Sequence, residues 1–72
     1  MDKISGFIKQ LNLKRTWGVI IDNNDELYYF STKDINREPF SLREGIMVSF
    51  ETTTPSTNSQ YLYQAISIQV VD

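Results

Sequence analysis

Residues 15–22 read RTWGVIID and hold the chain's only tryptophan. The run is β-branched and apolar, and it is closed by Asp22-Asn23-Asn24-Asp25, a cluster that favours a tight turn. It reads as a strand. On a strand, neighbouring side chains point to opposite faces. Trp17 and Val19 therefore share one face, and Gly18 and Ile20 share the other. Ile20 is the better interior residue, which turns Trp17 outward. Burial is the competing fate for a tryptophan, and the rest of the chain has to weigh against it.

Working outward, residues 3–13 (KISGFIKQLNL) give a first strand whose alternation is broken near a glycine, which predicts a bulge or bend. Residues 26–31 (ELYYFS) give a third strand, rich in aromatics. Residues 32–45 (TKDINREPFSLREG) lack strand character. There Ser31 or Thr32 can cap one helical turn reaching Ile35, Pro39 stops any continuation, and Gly45 suits a positive φ before the next strand. A fourth strand follows at 46–53, with Ile46, Val48 and Phe50 on one face. Residues 54–60 form a polar loop, and residues 61–71 (YLYQAISIQVV) a fifth strand. Five short strands, with a longer connection between the third and fourth, predict one β-barrel domain over residues 1–72. Closure removes the exposed edges that threaten a chain rich in Tyr, Phe and Val.

Composition narrows the chemistry. The 72 residues contain no cysteine and no histidine. Disulfides, the common zinc sites and triads built on Cys or His are thereby excluded. The carboxylates Asp22, Asp25 and Glu26 crowd one turn, where they read as hairpin solubilisers and not as an acid–base pair. The expectation is a binding protein, not an enzyme, with no catalytic residue, no metal and no cofactor. No segment approaches the ~18–20 apolar residues that cross a bilayer, and the N-terminus lacks the apolar core of a signal peptide. With no cysteines, this predicts a cytoplasmic protein without membrane contact. The net charge is −2, but residues 1–21 carry +3 and residues 22–72 carry −5. Such asymmetry allows one basic face on an acidic protein.

Four fragments, in order, resemble the cold-shock domain family. In GFIKQLNLKRTWGVI (6–20), Gly6, Ile8, Lys9, Asn12, Arg15, Trp17, Gly18 and Ile20 fall in register with the family's first motif. LYYFSTKDI (27–35) is similar to the second. FSLREGIMVSFE (40–51) matches a later stretch closely, and YQAISI (63–68) resembles the start of the last strand. The resemblance covers nearly the whole chain. It implies an all-β fold, a five-stranded antiparallel oligonucleotide-binding (OB-fold) barrel, and the binding of single-stranded RNA or DNA in the manner of an RNA chaperone. It places Tyr29 and Ser31 outward, Tyr28 and Phe30 inward, and Phe40 over the binding face.

Stacking on outward aromatics and attraction of phosphates to Lys and Arg are the physics of such a face. The expected nucleic-acid-binding residues are Lys9, Lys14, Arg15, Trp17, Val19, Tyr29, Ser31, Phe40, Tyr61 and Tyr63. Several have a plainer reading. Phe40 could plug a barrel end, Tyr61 and Tyr63 could cover the barrel mouth, and the three cations could be ordinary solvated charges. This chain also departs from the family pattern. Gln10 and Val19 replace aromatics, Thr16 replaces a glycine, Ser31 replaces a histidine, and Thr32 stands where a further ring often sits. A thinned set of rings implies weak to moderate binding. It also admits an alternative, an OB module that has turned this face to a protein partner or a homodimer.

Overall fold

The computed structural model describes residues 3–38, 41–53 and 63–71. Five strands run in chain order: β1 (Ile4–Asn12), β2 (Trp17–Asp22), β3 (Leu27–Ser31), β4 (Met47–Thr53) and β5 (Tyr63–Val70). They close into a barrel in the order β1-β2-β3-β5-β4, with β4 pairing back onto β1. The expected five-stranded barrel is therefore present. One seam differs from the all-antiparallel expectation. β3 and β5 pair in parallel, through Tyr28 opposite Tyr63 and Tyr29 opposite Gln64.

The bulge anticipated in β1 exists, and it lies past the early glycine. Gly6 pairs regularly with Asp22 on one side and Val48 on the other. The register instead slips between Ile8 and Gln10, leaving Lys9 as the extra residue. At that slip, the Ile8 N–H donates to the Ile46 carbonyl (3.0 Å), and the Ile8 carbonyl accepts from Gly45 N–H (2.7 Å). Gly45 has the positive φ expected of it, 93°. A second slip on β5 lies beside Ser67, whose φ is 50°. The single turn after β3 is a 3-10 turn over Thr32–Asp34. Ser31 caps it by accepting the Lys33 N–H at 3.3 Å.

Inside the barrel, Ile8, Ile20, Tyr28, Phe30, Ile35, Leu42, Val48, Phe50, Ala65 and Ile68 form one cluster. Each large apolar side chain so buried contributes roughly 1.5–3 kcal/mol. Ile20, Tyr28 and Phe30 are the inward residues the sequence pointed to. Phe30 packs so close to β2 that Gly18 has no room for a side chain. A Cβ there would lie 2.6 Å from the Phe30 ring and 2.8 Å from the Gln10 carbonyl oxygen.

Candidate nucleic-acid interface

The outward face of β1–β3 follows from this register. Direct partners across a ladder share a face. Trp17 sits between Asn12 and Ser31, and Val19 sits between Gln10 and Tyr29. Trp17 and Tyr29 are diagonal neighbours. Their ring centroids are 6.2 Å apart and their planes differ by 28°, the geometry of an attractive aromatic pair. Both are half-buried, so each keeps some surface open to solvent.

Val19 lies on this face as expected, but it is only 2 % exposed. It takes no part in the interior cluster. It is thus covered from outside, where Trp17 and Tyr29 are its neighbours along and across the strands. Val19 offers a ligand almost no surface.

Two of the expected cations sit in the hairpin loop and the third sits on β1. Asn12 and Trp17 close the β1–β2 hairpin around residues 13–16. The Asn12 side-chain oxygen accepts the Arg15 N–H at 3.1 Å. Lys14 and Arg15 are exposed in this loop, immediately before Trp17, and Lys9 is exposed at the bulge. Ser31, the partner of Trp17, is half-buried and spends its oxygen on the cap of the 3-10 turn.

Tyr63 is elsewhere. It lies opposite Tyr28 across the parallel seam, with ring centroids 5.7 Å apart. Tyr28 is an inward residue, so Tyr63, 42 % exposed, covers the mouth of the barrel. It does not extend the Trp17–Tyr29 pair. Phe40 and Tyr61 lie outside the described residues.

At its opposite end this face is apolar and borders an acidic turn, in which Asp22 falls on the inward parity of Ile20. In the β2–β3 turn, Asp22 accepts the N–H groups of Asn24 (2.8 Å) and Glu26 (3.0 Å) on one oxygen. Its other oxygen accepts the Tyr28 hydroxyl at 2.7 Å. The Tyr28 bond and these backbone donors hold the Asp22 carboxyl below its ordinary range, against the opposing pull of desolvation. Burial, then the Asp22 bond and charge, push the Tyr28 phenol up. Beside this turn runs an outward row of four residues across four strands, Leu27–Ile21–Phe7–Met47. Phe7 is 40 % and Met47 43 % exposed. Sequence reasoning did not single out this row. Its only trace there is that Phe7, Ile21 and Leu27 are apolar at positions whose neighbours already fill the core.

The chain matches no protein-family model, and no curated protein matches it.

Proposed function

We propose that this barrel binds single-stranded RNA or DNA on the outward face of β1–β3, as a divergent relative of cold-shock domains. The observation that carries the reading is the Trp17–Tyr29 ring pair set beside a basic hairpin loop. Unpaired bases stack on the two rings. Lys9, Lys14 and Arg15 draw in the phosphates, and neither step needs catalysis or a cofactor. At roughly 1–3 kcal/mol per stacked base, two rings support weak to moderate affinity once the cost of association is subtracted. A strand held this way cannot fold back on itself, which is the work of a cytoplasmic RNA chaperone. The test is a titration of Trp17 fluorescence with short poly-pyrimidine and mixed-sequence DNA and RNA strands at two salt concentrations. Quenching that weakens steeply with salt supports the reading. No quenching by any strand at low salt rejects it.

The exposed row through Phe7 and Met47 favours a second reading, in which the barrel engages a protein. A complex that survives nuclease treatment and is lost in Phe7→Lys, but not in Trp17→Ala, would select it over the first.

A further inference from the structure

We infer that Thr32 is a positioning residue for the nucleic-acid face, a role that rests on the reading proposed above. Thr32 is 6 % exposed and is the one buried polar residue among those described. Its N–H (3.0 Å) and its hydroxyl (3.3 Å) both donate to the carbonyl oxygen of Thr16.

Thr16 is where the chain needs such a hold. Its φ is 60°, a left-handed conformation that disfavours a β-branched residue. It is the last residue of the hairpin loop. Lys14 and Arg15 lie on one side of it, and Trp17, the first residue of β2, lies on the other. Its own hydroxyl donates to the Arg15 carbonyl at 2.6 Å, which ties it to the loop but not to the barrel. The Asn12–Arg15 bond holds the loop on the β1 side, and the pair of bonds from Thr32 holds it on the β3 side. These bonds continue the β2–β3 ladder one step past its last pair, Trp17 and Ser31. They fix the cations of the loop relative to the ring. The distance between a phosphate-binding charge and a stacking ring decides whether one nucleotide can use both, so a loop free to swing gives up the combined contact.

The experiment compares Thr32→Val, which keeps the shape and removes the hydroxyl, with Thr32→Ser, which keeps the hydroxyl. Far-UV circular dichroism and Tm establish folding. Short single strands are then titrated across a salt series, and the time-resolved anisotropy of Trp17 is measured without ligand. The Val variant is expected to bind about three- to tenfold more weakly, the range open to one neutral hydrogen bond. It should also show a shallower dependence on salt and faster local motion of Trp17. The Ser variant should restore all three. Wild-type affinity, salt slope and anisotropy in the Val variant overturn the inference. So does a Ser variant as impaired as Val, because the methyl group would then be what matters. If Val does not fold, the comparison of Thr32→Ala with Thr32→Ser isolates the hydroxyl in the same way. Failure of the wild-type protein to bind any strand rejects the functional reading itself. Unchanged Trp17 anisotropy in Thr32→Val, when the wild type does bind, rejects only the role of Thr32.

Discussion

The outward face of β1–β3 has two ends that share strands and register but not chemistry. At the Trp17 end, an aromatic pair stands next to Lys14 and Arg15. At the Asp22 end, an apolar row ending in Phe7 and Met47 stands next to Asp22, Asp25 and Glu26. β2 runs from the basic end to the acidic one in six residues. An overall charge of −2 is therefore no obstacle to an anionic ligand, because what such a ligand meets is the local field. If the proposed single-strand binding holds, the same gradient predicts a phosphate chain at Trp17 and away from the turn at Asp22.

Each end rests on a buried glycine, and the largest effects should come from filling that space. A Cβ on Gly18 meets the Phe30 ring and a backbone oxygen, and one on Gly6 meets the Ile21 carbonyl oxygen at 2.6 Å. Neither neighbour is the loose end of a flexible chain. Gly18→Ala and Gly6→Ala should each lower stability by about 3 kcal/mol, at the upper end of overpacking costs, by urea denaturation. Gly18→Ala should also disturb the near-UV signal of the Trp17 pair, while Gly6→Ala should leave that signal in place in whatever fraction stays folded.

Next in size is Trp17→Ala. Its removal should weaken single-strand binding by about 1–3 kcal/mol. A half-buried outward ring carries less of the fold than Phe30 does, so folding should persist. If binding and stability fall together, Trp17 belongs with the core and the distinction between the faces fails.

The third effect belongs to the acidic end. Tyr28→Phe removes the hydroxyl that donates to Asp22 and should cost about 1 kcal/mol, since Asp22 keeps its two backbone donors and some contact with water. The pH dependence carries the sign. The Asp22 carboxyl titrates lower in the fold than in the unfolded chain. Its contribution is present above an unfolded value of about 3.9 and is lost as pH falls through the folded value. The Tyr28 phenol titrates higher in the fold. Its contribution is complete below about pH 10 and is lost as pH rises through the folded value. Tyr28→Phe should flatten the alkaline limb and soften the acid one, and Asp22→Asn should remove its share of the acid limb.

How much of this was legible in the sequence depends on the range over which each feature is set. The alternation across Trp17, Val19 and Ile20 is local, and it gave the faces of β2 correctly. Alternation tells which way a side chain points but not what lies over it, so the 2 % exposure of Val19 could not be read. The bulge was signalled by the broken pattern of β1. Its seat at Lys9 depends on β2 and on backbone bonds to Gly45 and Ile46, far along the chain. The parallel seam depends on how the barrel closes, and only that seam decides that Tyr63 meets Tyr28 and not the Trp17 pair. Thr32 was visible as a missing ring and as a candidate helix cap, and the structure gives the cap to Ser31. Its bonds to Thr16 join residues sixteen apart through a ladder that no local pattern records.

The smallest expected effect sharpens the comparison most. Phe7→Thr and Met47→Thr change outward side chains that are already two-fifths exposed and that occupy regular ladder positions. Threonine keeps β propensity, so each change should move stability by no more than about 0.5 kcal/mol. If the two ends are separate in function, neither change should alter single-strand affinity or its salt dependence, measured on the same strands as Trp17→Ala. A loss of affinity comparable to that of Trp17→Ala would mean that the bound strand runs the length of β2 and crosses the acidic turn. Affinity would then rise in Asp25→Asn, which removes a charge from that turn. An unchanged affinity in all three variants confines the strand to the end where the rings and the cations meet.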